Sequence, residues 1–520
     1  MNGVLLRSVV IGFVAAILIH NVGTLGRVPA FPNDDDGAYA AAAYQFWETG
    51  KPGVAAYRDV AGLGRDVWAF GRIGAAVQGV FLHFVGVSIF AALLPSFLVG
   101  LGLLVVTGAL GRALWDTQTG VLAVVLLVAS GKFFEACRWA RPDMLLTFCF
   151  VLSLWLVASA SAGRPYRSLF LSGLVMGLAG DVHLNGFLIA PVPLLFWLLL
   201  RPESNGVRWR AGLAYAGAGL VGVLYWLAIH YWPDTEGVRQ QAALYGGQTH
   251  GLRISKLGVT GALKAEVERY LNWFWHARGH RHLFEGLCVF GSGLWMLARA
   301  ERVGRAIVCI WLACFGIAAV AMSNPYGWYL VYVWPLFMLW MSRAFLAFPV
   351  RWLSVTVLGL LLAGYVANLA VWHLKARQDI SLQNRLVELR REIPTNAPVV
   401  ANGMFWFAFW DRDYTDSQYM QFRELESKLR PDLGPVCWLT EQRKRGWRYI
   451  VAYGDLRGLL DPKVALEEFL SYPCNRNRNS EIQKARSFSL QHCSVERRIP
   501  GLVEPILILR IKQEITHVVQ

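Results

Sequence analysis

Charge is scarce in this chain of 520 residues: Asp, Glu, Lys and Arg together make up only 16% of it. A soluble globular domain carries about 25% charged residues. The deficit comes with 55% hydrophobic residues and 22 Trp, which argues for burial in lipid rather than for a larger water-soluble core. No CxxC occurs among the 8 cysteines, which argues against a cysteine zinc site. Cys137, Cys149, Cys288, Cys309 and Cys314 lie in or beside apolar runs, where a thiol behaves as a small hydrophobe. Cys437, Cys474 and Cys493 lie in a polar tail, where an oxidising compartment would allow one disulfide. No internal repeat or low-complexity tract is found. The net charge of +15 does not point to nucleic acid, because many of the basic residues sit in short loops between apolar runs. After Arg7 and the apolar run Val9–Ile19 no small-residue cleavage site follows, so the N-terminus reads as an uncleaved first span.

Apolar runs that read as membrane spans, each needing about 20 residues, recur along the first three-quarters of the chain; several are short, and the pair 168–182 and 186–200 reads as tilted or broken spans. They fall at 8–27, 86–110, 119–136, 143–162, 168–182, 186–200, 211–231, 283–299, 306–322, 329–348 and 353–372, about eleven in all. Placing the N-terminus in the cytoplasm puts Arg112, Arg164, Arg167, Arg201, Arg208, Arg210, Arg299, Arg302, Arg305, Arg343 and Arg351 in inside loops. The fold class expected is therefore a polytopic α-helical membrane protein. Residues 1–372 form its transmembrane domain, and residues 373–520 form an extracytoplasmic α/β domain. In that tail Pro398–Ala401, Tyr449–Ala452 and Leu502–Leu509 read as strands, and Ser381–Glu392 and Lys463–Leu470 as helices.

Four polar motifs share the outer face on this topology. Asn33-Asp34-Asp35-Asp36-Gly37-Ala38-Tyr39 follows the first span. Three adjacent carboxylates repel, so at least one should hold its proton more tightly, unless the turn merely caps the helix expected over Ala40–Thr49. Arg138-Trp139-Ala140-Arg141-Pro142-Asp143 opens another span, and an acid at a membrane boundary is costly unless satisfied. Gly180-Asp181-Val182-His183-Leu184-Asn185-Gly186 forms an outer turn. Ser323-Asn324-Pro325-Tyr326-Gly327-Trp328-Tyr329 supplies aromatics, either for an interfacial belt or for stacking on a sugar or isoprenoid. Arg58, Arg65, Arg72, Arg138 and Arg141 also lie outside, against the simple charge rule. They either bind lipid phosphates or acids structurally, or have a task at the site.

In this order the motifs resemble the GT-C superfamily of polyprenyl-phosphate-sugar-dependent glycosyltransferases, in particular the protein O-mannosyltransferase and lipid A aminoarabinose transferase type, family 39. The resemblance rests on Asp35-Asp36-Gly37-Ala38-Tyr39 with a helix ending at Glu48-Thr49-Gly50, on Arg141–Leu146, on the turn Asp181–Gly186, and on Tyr329-Leu330 to Pro335-Leu336. Asp36 stands where such proteins often have Glu. Asp181 or His183 replaces a common lysine, and Phe70-Gly71-Arg72-Ile73 stands near the place of a Lys-Pro-Pro-like segment.

The resemblance implies an inverting glycosyltransferase at the outer face of the cell (inner) membrane. A polyprenyl-phosphate-sugar donor, a protein, lipid or polysaccharide acceptor and the bilayer are its partners, with no nucleic acid. Asp35 is the expected general base and Asp36 the second choice. Asp143 would position the acceptor or hold Asp35. Arg72, Arg138 and His183 are expected at the donor phosphate, with Arg58 and Arg65 as secondary candidates for it; Asp181, Asn185, Tyr326 and Tyr329 complete the binding set. A pair of acids can also hold a divalent cation, but the relatives resembled generally work without a metal, so no metal or cofactor is expected. The competing class is a transporter or flippase of a lipid-linked or polar substrate. Internal repeats and mid-bilayer acids, usual there, are not found.

Overall fold

A computed structural model of the chain describes residues 3–25, 34–58, 60–160, 165–201, 205–245, 253–276, 282–299, 301–321, 327–378, 382–430, 437–452, 487–499 and 506–512. The fold is mostly helical. Helix α1 (Gly3–Thr24) is followed by α2 (Asp34–Thr49) and α3 (Arg72–Val85). Then come α4 (Ile89–Leu114), α5 (Thr117–Ala129), α6 (Gly131–Ala136), α7 (Asp143–Ala158), α8 (Tyr166–Ala179), α9 (Asn185–Ile189), α10 (Pro191–Leu200) and α11 (Asn205–Trp226). The series continues with α12 (Thr235–Tyr245), α13 (Arg253–Leu271), α14 (Leu283–Ala298), α15 (Arg302–Ala321), α16 (Trp334–Ala347) and α17 (Arg351–Gln378). Among the described residues, Ile89–Leu114, Gly206–Tyr231, Arg302–Ala321 and Arg351–Leu374 are long and apolar enough to cross a membrane, and further apolar helices are shorter.

The apolar runs coincide with helices, but several are broken. The run 119–136 divides at Ser130, whose hydroxyl accepts the Phe133 amide at 3.3 Å and starts α6. The run 186–200 divides where Pro191, lacking an N–H, opens α10. The segment between the first two apolar runs is not a simple loop: α3 lies within it and packs on α2. The fit depends on small residues. A Cβ on Gly79 would come within 2.6 Å of the Ala43 carbonyl, and Ala40, Ala41, Ala42 and Ala43 are all buried. Small residues allow such close approach.

Helices α8 and α11 cross in the same way. A Cβ on Gly177 would meet Gly219 at 2.5 Å, and one on Gly173 would meet the Tyr215 carbonyl at 2.2 Å. The contacts advance along both helices together, so the two run parallel and their C-terminal ends lie side by side. That alignment sets Asp181 beside His230.

Past α17 and α18 (Leu382–Glu392), five strands form one sheet in the order β2-β1-β3-β5-β4. β1 (Val399–Ala401) runs parallel to β2 (Tyr414–Asp416) and β3 (Tyr449–Ala452). β5 (Ile506–Ile511) runs antiparallel to β3 and to β4 (Cys493–Ile499). The expected helix Lys463–Leu470 and Cys474 lie outside the described residues. The sheet region rests on α2 and on the residues that follow it. Tyr57 donates to Asp416 at 3.2 Å, Glu426 accepts the Ala61 amide at 3.0 Å, and a Cβ on Gly37 would strike the Gly403 carbonyl at 1.8 Å.

Candidate active site

The three aspartates do not precede a helix; they begin one. Helix α2 starts at Asp34 and ends at Gly50, whose φ of 74° is the left-handed conformation that glycine supplies at a helix end. Carboxylates in a first turn face unpaired backbone N–H groups and the positive end of the helix dipole. Asp35 and Asp36 take different partners from there.

Asp35 pairs with the guanidinium of Arg141, and its own side chain stays 40% exposed. Arg141 is buried, and its Nε donates to Asp143 Oδ2 at 2.7 Å. Burial alone would lower the Arg141 pKa, but the Asp143 and Asp35 carboxylates raise it well above its ordinary value. Asp143, fully buried, accepts from Tyr332 Oη on its other oxygen at 2.5 Å. Asn185 Nδ2 donates to that Tyr332 hydroxyl at 3.3 Å. His183 Nδ1 accepts the Asn185 amide at 3.1 Å, and its ring meets Tyr329 edge-on at 6.1 Å. Tyr329 in turn stacks on Tyr332 at 5.7 Å. The Arg141 guanidinium lies over the rings of Tyr39 and Tyr329, at 5.6 and 5.8 Å. One network thus links all four polar motifs, from residues 100 to 190 positions apart.

Asp36 turns inward. Its Oδ1 accepts the Ala140 amide at 2.8 Å, and the side chain is buried. Burial pushes its pKa up to about 8, against the opposing pull of the Ala140 N–H and of Arg141. An ordinary Asp loses its proton near pH 3.9. Between those values the folded protein therefore binds the extra proton, and stability is lost as pH rises through the window. The melting temperature in detergent should fall between about pH 5 and about pH 8, more steeply for the parent than for Asp36→Asn. Equal slopes would refute the assignment.

A second cluster surrounds Asp181, which is fully buried. Its carboxylate accepts the amides of Arg72 and Ile73 at 3.3 and 3.0 Å, capping α3 from a distant turn. His230 Nε2 lies 2.6 Å from Asp181 Oδ1. Gly71 makes the joint: its φ is 63°, and a Cβ there would strike the Asp181 carbonyl at 1.8 Å. The Arg72 guanidinium donates to the Ile229 carbonyl at 2.7 Å and approaches Asp66 at 3.5 Å.

The remaining expected residues are placed elsewhere. Arg138, expected at a phosphate, is buried against α1, donating to Asn21 Oδ1 at 2.9 Å and to Thr24, with the Phe134 ring 3.5 Å from its guanidinium carbon. Arg58 pairs with Asp413 of the sheet region instead of joining either cluster. Both placements have one cause: each arginine has an acceptor on a neighbouring element, which the local sequence does not reveal. Tyr326 lies outside the described residues, and of Asp34 only the backbone is described. Three residues without an assigned role in the sequence are central here: Arg141, Tyr332 and His230. Arg141 stood in a quoted motif, and Tyr332 lies three residues beyond Tyr329. His230 sits inside an apolar run and carries no local signal. Among the described residues no group of three or more His, Cys, Asp or Glu side chains is arranged to hold a metal ion.

Residues 73–232 match the family model of dolichyl-phosphate-mannose-protein mannosyltransferases. The segment includes Arg141, Asp143, Asp181, His183 and His230 and begins after Asp35, Asp36 and Arg72. The structure is similar to that of ArnT from Cupriavidus metallidurans bound to undecaprenyl phosphate, with a TM-score of 0.61 and 14% identity over 97% of this chain and 98% of that one. The chain has the GT-C fold. The apo state of the same ArnT aligns with a TM-score of 0.58 at 14% identity, over the same shares of both chains. The archaeal oligosaccharyltransferase AglB from Archaeoglobus fulgidus, in complex with an inhibitory peptide and a dolichol-phosphate, aligns at 0.51 with 12% identity, over 94% of this chain and 73% of that one. No curated protein matches the chain. The resemblance read from the four motifs is therefore borne out in the fold and in the mannosyltransferase-like segment.

Proposed function

We propose that the chain is an inverting glycosyltransferase that moves a sugar from a polyprenyl-phosphate donor to an acceptor hydroxyl at the outer face of the cell membrane, with its N-terminus cytoplasmic and its sheet region outside. The observation that carries this reading is the half-exposed Asp35 carboxylate, anchored through Arg141 on a buried Asp143 where four outer motifs meet. A general base has to be accessible and fixed in direction, and Asp35 is both. Asp36 is not, because burial and the Ala140 amide occupy it.

In the proposed step Asp35 takes the acceptor proton. The acceptor oxygen forms a bond to the anomeric carbon, and the bond from that carbon to the phosphate oxygen breaks. The polyprenyl phosphate leaves with the electron pair. Its growing negative charge calls for a fixed cation. Arg72 is the cation assigned here, because it is partly exposed at the start of α3 and its Nε makes no hydrogen bond with the described residues. His183, Asn185 and Tyr329, around the Asp143–Tyr332 contact, line the path toward Asp35. The fold neighbours bound to undecaprenyl phosphate and dolichol-phosphate support a lipid phosphate as the leaving group. Purified protein in liposomes with radiolabelled polyprenyl-phosphate mannose tests the reading. Label should pass covalently to an acceptor in a membrane-extract acceptor pool. Label accumulating unaltered inside the vesicles would replace the transferase with a transporter.

A further inference from the structure

The end of α11 deserves a role that its sequence does not announce. Residues Leu227–Tyr231 continue α11 as a π-helical turn. Such a turn inserts a residue into the helical ladder and is frequent at functional sites. Here it turns two consecutive residues toward Arg72. The Ile229 carbonyl accepts from Arg72 Nη2 at 2.7 Å. The His230 ring, on the next residue, holds Asp181 at 2.6 Å, and Asp181 holds the Arg72 and Ile73 amides. Arg72 is therefore gripped at both ends, its guanidinium by residue 229 and its backbone through residue 230.

The chemistry of the pair sets its direction. Both side chains are shielded from solvent, and His230 Nδ1 makes no hydrogen bond with the described residues. A doubly protonated imidazole would bury an unsatisfied N–H. A neutral ring donating from Nε2 to Asp181 avoids that cost. The Trp226 ring, tilted over His230 at 5.5 Å, closes the site on another side. Asp181 accepts three N–H groups, from the amides of Arg72 and Ile73 and from the His230 ring, so it holds the backbone of Arg72 rather than its guanidinium. The guanidinium keeps the Ile229 carbonyl and Asp66, and its Nε makes no hydrogen bond with the described residues.

We propose that His230 is a positioning residue for the donor phosphate: through Asp181 and the π-turn it fixes Arg72 where the lipid phosphate is bound. This rests on the reading of Arg72 as the phosphate's cation. His230 touches no reacting atom. Its removal acts by letting the first turn of α3 shift, and displacements on the order of 1 Å cost up to about 100-fold.

The test is the binding of undecaprenyl phosphate to the full-length protein in detergent, with undecaprenol as the uncharged control. Arg72→Ala should weaken the phosphate at least about 10-fold and leave undecaprenol unchanged. His230→Leu should weaken the phosphate by about 10-fold, again sparing undecaprenol. The two losses should not add in the double variant, because both remove the same contact. His230→Gln, whose amide N–H reaches to the place of Nε2, should restore most of the affinity. If His230→Leu does not fold, Asp181→Asn carries the same cycle from the other side of the contact. If Arg72→Ala leaves phosphate binding intact, the cation reading fails and the proposal falls with it. If Arg72→Ala weakens binding but the His230 loss adds in full, or affects undecaprenol equally, the cation reading stands and the positioning role is wrong.

Discussion

Asp35→Asn is expected to abolish transfer while leaving the folded protein as stable as its parent. A positioned general base contributes about 100- to 10,000-fold to rate, and the amide cannot take the acceptor proton. The structural cost is small because the Asp35 side chain is 40% exposed and Arg141 keeps its bond to Asp143. The measurement is the transfer rate from radiolabelled polyprenyl-phosphate mannose, with the melting temperature recorded on the same sample. Transfer at the parent rate would overturn the assignment of Asp35. Asp36→Asn makes the contrast. An amide oxygen still accepts the Ala140 N–H, so that variant should keep most of its rate.

The sequence exposed the lipid-facing architecture well, and for a physical reason. Apolar runs of span length have few alternatives in a chain with so little charge, and each expected run coincides with described helices. The strands Val399–Ala401 and Tyr449–Ala452 were legible for a similar reason, as short buried β-branched runs. The helix α3 was not, because it lies in a segment punctuated by Gly and Pro. Strands β2 and β4 were hidden too. Tyr414–Asp416 is only three residues long, and Cys493–Ile499 is mostly exposed and charged.

At the site, local motifs located the residues but not their pairings. That Asp35 and Asp36 diverge, one outward to Arg141 and one inward to Ala140, depends on contacts over 100 positions away. The partnership of Asp181 with His230 depends on the glycine-lined crossing of α8 and α11, which no single motif encodes. The turn 181–185 gains its meaning from those contacts. Its first residue caps the helix that carries Arg72, and its last reaches the Tyr332 hydroxyl bound to Asp143. Under the proposed mechanism one short turn therefore spans the leaving-group cation and the base.

Arg141→Ala should be the most damaging single change to the site. It leaves Asp143 fully buried with a tyrosine hydroxyl but without its guanidinium. Removing one partner of a buried ion pair costs about 3–5 kcal/mol. The melting temperature in detergent should drop sharply, and transfer should be lost as well, since Asp35 loses its anchor. Stability and chemistry separate in the double variant Arg141→Ala/Asp143→Asn. The neutral amide keeps an acceptor for Tyr332 and no longer demands a cation, so most of the lost stability should return. Transfer should not return, because the guanidinium that pairs with the Asp35 carboxylate is gone. Recovery of transfer together with stability would reduce Arg141 to a structural counter-ion, and the base would have to be oriented by another group.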